Sequence, residues 1–407
     1  MSVKKMKIKE LSIMVSDGNY SAKYPKSSEF VESGIPFIRA NNIKDNKVIW
    51  NDIIYISKEK HSTLLKGHLK KNDVLFTVRG ILGHVGIVGE DFENANINAQ
   101  IALLRADDKY INPKYLMYSL NTNDVKSQIE RNQTGTTLKQ LPISRLKELV
   151  IVMREKSKQD KIVKCLDKSY ELIINRKEQI KELDLLVKSK FIEMFGDPIN
   201  NPMKWEVKKM KDISVNIMSG NTPKGGEQVY VESEIMFLRS QNVWKNKLLL
   251  DDVAYIDQAT HNKMKKSSLK NKDILMTKTG RINTENSSLG RAAMFLGEDD
   301  SANINGHVYL IRLQEQIINE FVLYILTSKE YRGYIRSVCV GGIDKRQLNK
   351  EHIEDFPIIF PPIEKQKKFV SYVKQVDKLK FEMENSLKKL EDNFNSLMQK
   401  SFNGELV

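Results

Sequence analysis

The chain is short of the residues from which most catalytic and cross-linked proteins are built. Among its 407 residues there are only two cysteines, Cys165 and Cys339, far apart and without metal-type spacing. That argues against a disulfide framework or a cysteine zinc site, and it suits a reducing cytoplasm. No run of about 18 apolar residues occurs, so no membrane partner is expected. The opening "MSVKKMKIKE" has no apolar stretch that would serve as a secretory signal. The six histidines show no paired ligand spacing. "GNTPKGG" (220–226) has its glycines and lysine in the wrong order for a phosphate loop. No Gly-x-Ser-x-Gly elbow is present. A free-standing enzyme is therefore disfavoured, and no cofactor or metal is expected in this chain.

What the chain does have is positive charge. Its formal net charge is +14, with 29% charged and 40% hydrophobic residues. A basic chain of this size usually meets a polyanion, although a lysine-rich solvated surface has the same composition. Most of the excess lies outside the two long helical segments described below.

The chain also repeats itself, which fixes its architecture before any secondary structure is considered. "GIPFIRANNI" (34–43) returns as "EIMFLRSQNV" (234–243), "DIIYIS" (52–57) as "DVAYID" (252–257), and "LKKNDVLFTVRG" (69–80) as "LKNKDILMTKTG" (269–280). Those pairs are 200 residues apart. From Ala95 onward the offset is 207: "ANIN" returns at 302–305, Arg105 matches Arg312, "GTTLKQL" (135–141) matches "GIDKRQL" (342–348), and "KQDKIV" (158–163) matches "KQKKFV" (365–370). The seven extra residues fall between Gly280 and Ala302, in a stretch whose Asn, Ser and Gly read as a loop. A loop that differs between two parallel halves is a natural place for differing specificity.

Each half opens with short runs of Val, Ile, Phe and Tyr broken by Gly, Asn and Asp, which read as strands and turns. Each then ends in a long segment with heptad periodicity. Leu166, Ile173, Ile180, Val187 and Met194 form one seam; Phe369, Val376, Met383, Leu390 and Leu397 form the other. No Gly or Pro interrupts 156–195 or 363–402, and Gly196 and Gly404 stand where helices stop. The expected fold is mixed α/β, of the α+β kind. Two pseudo-symmetric globular domains (1–155 and 199–362) are separated by an antiparallel two-helix coiled coil (156–198 and 363–407). Helices of about 40 residues would hold the domains about 60 Å apart.

Candidate binding residues come from the repeated phrases. Arg39 and Arg239 follow an apolar strand and are followed by Asn41, Asn42, Gln241 and Asn242. Arginine pairs bidentately with guanine, and Asn or Gln with adenine. Equally, such amides cap turns and such arginines make internal pairs. Glycine-rich segments place Arg79 and His84 in one half, and Lys278, Arg281 and Arg291 in the other. Glycines there let backbone amides approach a phosphate closely. Lys224 sits in a third such segment. The duplicated His61 and His261 read as residues of exposed helix with a structural or surface role.

The phrases quoted above, each half running into a long helix, and the endings "FIEMFGD" (191–197) and "LMQKSFNGEL" (397–406) together resemble the specificity (S) subunits of type I restriction-modification systems. The resemblance covers nearly the whole chain. It implies two target-recognition domains, each reading one half of a bipartite sequence in double-stranded DNA. It implies helices that set the half-site spacing and dock two modification (M) methyltransferase subunits, with restriction (R) motor-nuclease subunits completing the complex. S-adenosylmethionine, ATP and Mg would then sit on those partners, and adenine would be methylated at N6. Two domains about 60 Å apart would span roughly 18 base pairs. "FPPI" (360–363) is not the adenine-methyltransferase motif, and a motor motif is also missing, as suits a non-catalytic reader. Two other readings remain open: the specificity subunit of a type IIB-like system, and a coiled-coil scaffold that does not bind DNA.

Overall fold

The computed structural model describes residues 4–20, 23–135, 139–282, 284 and 286–405. The chain forms two compact units: Met1–Gln179 with Met383–Val407, and Ile180–Glu382. Among the described residues, no helix is long and apolar enough to cross a membrane.

In the first unit the apolar runs pair into two main sheets. One has six strands, ordered Ile13–Asp17, Ile101–Ala106, Val74–Thr77, Val85–Ile87, Asn46–Val48 and Ile43–Lys44. The other has four, ordered Asn96–Ile97, Ile35–Ile38, Ile54–Ile56 and Phe30–Val31, with the first pair parallel. Val74–Thr77 is buried along its whole length, which is why it reads as an unbroken apolar run rather than an alternating one. Its alternate side chains serve different cores. Leu75 packs with Ile38, Ile97 and Leu103, while Val74 and Phe76 pack with Tyr115, Leu116 and Leu166.

The second unit repeats this plan. Ser214–Ser219, Val308–Leu313, Ile274–Thr277 and Ala292–Met294 form one sheet. Tyr230–Val231, Ala254–Ile256, Ile235–Leu238 and Ala302–Ile304 form the other, again with a parallel pair. A three-stranded ribbon, Thr279–Arg281, Lys345–Gln347 and Val340–Gly341, is also present. Its counterpart in the first unit is a pair of isolated bridges, Arg79 to Gln140 and Thr134 to Gln140. Thr136, Thr137 and Leu138 of the repeated phrase there lie outside the described residues.

One buried ion pair occurs in both units. Arg105 donates through Nε and Nη2 to the two carboxylate oxygens of Asp73, both at 2.7 Å, and Arg312 does the same to Asp273 at 2.9 and 2.7 Å. The arginines also reach the His68 and Ser268 carbonyls at 3.0 Å, and the aspartates accept from Lys70 N and Lys270 N. With both carboxylate oxygens engaged, the charge is tolerated at 1–2% exposure.

The two long helices run Lys156–Phe195 and Ile363–Asn403. The first stops where Gly196 takes φ +76°; a Cβ there would lie 2.7 Å from Pro202. Trp205 Nε1 donates to the freed carbonyl of Phe195 at 3.0 Å. All ten seam residues are buried or half-buried. Within the first unit Lys177 pairs with Glu391 while Leu166 packs with Met398 and Phe402, so the helix segments are antiparallel. Within the second unit Asp184 pairs with Lys380 and Phe195 lies 5.6 Å from Phe369, again antiparallel.

Neither long helix belongs to one unit alone. Each is divided between the two units, because its apolar stripe is covered by a globular half. Phe191 and Phe195 lie within 6.1 Å of Phe321, Tyr324 or Phe369 in the second unit. In the first unit, Phe402 lies 5.1 Å from Tyr115, and Phe394 lies 5.8 Å from Tyr170. Replacing Phe369 with Ala should therefore cost about 3–5 kcal/mol in urea unfolding monitored in the second unit. Leu379→Ala, on the same helix but 43% exposed, should cost under about 1 kcal/mol.

Candidate nucleic-acid interface

The repeated Arg and amide residues are built into the fold. In each half the strand ends at Arg39 or Arg239 and turns through a short 3-10 helix. Asn42 and Asn242 cap that turn: each side-chain oxygen accepts from the arginine's own backbone N at 2.8 Å. Their amides then donate outward, Asn42 to Asn51 O and Asn242 to Leu249 O and Asp252 O. Both are at most 1% exposed. Arg39 Nη2 donates to Asp52 O at 2.6 Å, and Arg239 Nη2 to Asp252 O at 2.9 Å and to its carboxylate at 3.2 Å. Of the two uses the sequence allows for these four residues, the turn-capping one matches this geometry. A base edge would have to displace hydrogen bonds that hold the turn closed.

Asn41 and Gln241 are exposed beside these turns. Gln241 donates to Asp252 at 3.0 Å; that bond first, and the Arg239 charge second, hold the Asp252 carboxyl below its usual range.

The glycine-rich segments are more open. Arg79 is exposed, with its guanidinium 4.6 Å from the Tyr20 ring, and His84 is exposed nearby along the same loop. In the second unit Arg281 and Lys224 are exposed, while Lys278 is half-buried, 5.7 Å from the Tyr309 ring. Arg291 is not open. It is 8% exposed, lies 3.8 Å over the Trp244 ring, and donates to the Ser287 and Asn286 carbonyls. It staples the longer loop to itself. Burial first, then the Arg332 charge, push its guanidinium below its ordinary value.

The local geometry also narrows the insertion. Thr77 Oγ1 accepts from His84 N, and Thr277 Oγ1 from Arg291 N, each at 2.9 Å. Gly83 and Gly290, which precede those donors, both take positive φ. The seven extra residues thus lie before Gly290.

The duplicated histidines are not on exposed helix. His261 is 3% exposed, and its Nδ1 lies 2.7 Å from Asn303 Nδ2. His61 is half-buried, with Nε2 3.1 Å from His68 Nδ1. Burial lowers the pKa of both, so each is a neutral packing group at pH 7. A cleft of about 1050 Å³ in the first unit is lined by Tyr118, Asn121, Phe394, Met398 and Phe402 and shares no lining residue with the loops. No metal-binding cluster occurs among the described residues.

Several exposed or half-buried cations carry no signal in the sequence. Arg332 and Arg336 are four apart on the helix Lys329–Val338, and Lys345 and Arg346 lie in the ribbon strand. On a helix such spacing looks like any solvated face, and composition does not set it apart.

A family described as the type I restriction modification DNA specificity domain matches this chain twice, over residues 2–185 and 202–391. The type I restriction enzyme StySPI specificity subunit of Salmonella potsdam is 21% identical over 398 residues, covering 92% of this chain and 82% of that protein. The MjaVIII specificity subunit of Methanocaldococcus jannaschii is 24% identical over 394 residues, covering 93% and 84%. A solved chain from work on assembly and conformational transition of the type I R-M system shares the fold: TM-score 0.62, 16% identity, 99% and 98% coverage.

Asn242→Ala should destabilise the second unit by about 1–3 kcal/mol, because it strands Leu249 O, Asp252 O and Arg239 N. Denaturation should register that loss, while the DNA sequence selected by the folded variant should be unchanged.

Proposed function

The chain belongs to the family defined by the type I restriction modification DNA specificity domain, and we propose that each of its two units reads one half of a bipartite DNA sequence. The chain is a specificity subunit: it recognises DNA and leaves the chemistry to its partners. The observation that carries the two-half reading is the duplication itself. The family match occurs once per half, and each half has its own exposed basic loop, around Arg79 in one and Arg281 in the other.

The exposure of these side chains supports a division of labour among them. Exposed Arg79, His84, Lys224 and Arg281, with half-buried Lys278, contact phosphates and fix each unit on the duplex. Asn41 and Gln241, whose amides are exposed, read base edges in the major groove. Arg39, Asn42, Arg239, Asn242 and Arg291 act one step behind, holding the loops in shape. The two long helices, which enter both units, set the half-site spacing and carry two M subunits; R subunits complete the complex. S-adenosylmethionine, ATP and Mg act on those partners, where adenine N6 is methylated. Cys165 and Cys339 are free thiols, in keeping with a cytoplasmic setting.

The test is single-molecule sequencing of DNA from a methylation-free host that expresses this chain with the M subunit encoded beside it. A bipartite motif carrying N6-methyladenine in each half, present only with this chain, is the expected result. Co-purification of the two proteins without any methylated motif contradicts it.

A further inference from the structure

Three elements of the second unit meet along one edge. Thr284 and Gly290 touch the helix Lys329–Val338: Arg336 Nη2 donates to Thr284 O at 3.4 Å, and Ile335 occupies the space beside Gly290. Residues 280–282, just before them in the chain, meet the ribbon: Arg281 stands opposite Lys345, Gly280 opposite Arg346, and Ile282 N donates to Asp344 O at 3.3 Å. This edge carries Arg281, Arg332, Arg336, Lys345 and Arg346. The unit's arginine ion pairs are Arg239–Asp252 and Arg312–Asp273; among the described residues none of these five cations forms one.

That arrangement is costly in isolation. Arg332 is half-buried, and its guanidinium is pushed below its ordinary value by burial first and the Arg336 charge second. Like charges kept together at the edge of a low-dielectric surface are relieved by an anion, and closely spaced guanidinium groups suit the oxygens of phosphate. At the ribbon's turn Ile343 is 88% exposed, between Gly342 and Asp344. One exposed isoleucine means little by itself. At the tip of a ribbon flanked by cations it has a use, because a two-stranded ribbon fits the major groove and aliphatic groups there contact thymine methyls.

We propose that this edge extends the DNA-contacting surface of the second unit, its five cations holding phosphates while Ile343 enters the groove against the bases. The inference rests on the DNA-reading function above and assigns it to elements that differ most between the halves. It divides the labour along this edge: the cations supply affinity for any sequence, and Ile343 adds discrimination to that of the exposed amides.

The experiment uses the full chain co-purified with its M subunit, on DNA carrying its methylation motif and on unrelated DNA. Binding is measured across a range of salt. In the Arg332→Ala/Arg336→Ala variant, the slope of log K against log salt should fall by about two, roughly one for each phosphate no longer neutralised, with both DNAs weakened alike. Arg336→Lys should keep its share of the slope. Ile343→Ala should leave the slope unchanged and lower discrimination against changes in one half-site on the order of tenfold. Melting curves verify that each variant is folded. A folded double variant with an unchanged slope, or an Ile343→Ala complex with undiminished discrimination, overturns this assignment and leaves the DNA-reading function standing. If the unaltered complex shows no salt-dependent specific binding, that function falls, and the assignment falls with it.

Discussion

Everything else in this molecule depends on how the aromatic stripes of its two long helices are covered. Neither globular half closes its own core. The first needs Phe394, Met398 and Phe402 from the far end of the chain, packed beside Tyr115 and Leu166. The second needs Phe191 and Phe195 from a helix that begins in the first unit, packed against Phe321 and Phe369. A chain cut at the end of its first half would leave these rings in water. Each core is thereby closed by rings from helix segments outside its own run of strands.

Duplication and reading turn out to be separate matters. The features that repeat most faithfully are internal: the Asp73–Arg105 and Asp273–Arg312 pairs, the Asn42 and Asn242 caps, and the buried Gln159 and Gln366 at the starts of the long helices. Gln159 donates to the Tyr110 and Arg154 carbonyls, and Gln366 to the Pro361 carbonyl, which pins each helix where it leaves its domain. The features that differ include exposed Arg281, Thr284 and Asn286 and the ribbon beside them. A scaffold copied twice and edited at its edges lets two different half-sites be read without redesigning either core.

The long helices were legible in the sequence because a heptad repeat and a terminal glycine each have one physical meaning. The strands were legible for a similar reason: a short apolar run between turn residues has few other uses. The candidate site was less so. An asparagine that caps a turn and one that reads adenine are the same letter in the same kind of loop, and only burial distinguishes Asn42 from Asn41. His261 reads as exposed because its sequence neighbours are polar, yet Asn303, distant along the chain, encloses it. Arg332 and Arg336 gain their meaning from a loop and a ribbon brought beside their helix by the fold, and no local pattern announces such a meeting.

The central claim is that each unit reads its own half-site, and photo-crosslinking tests it most directly. The intact complex would be bound to its motif, with a photoreactive base placed in one half-site at a time, and the labelled peptides identified. The account predicts that one half-site labels peptides only from residues 4–155 and the other only from residues 199–362. Labelling of the same unit from both half-sites would contradict it.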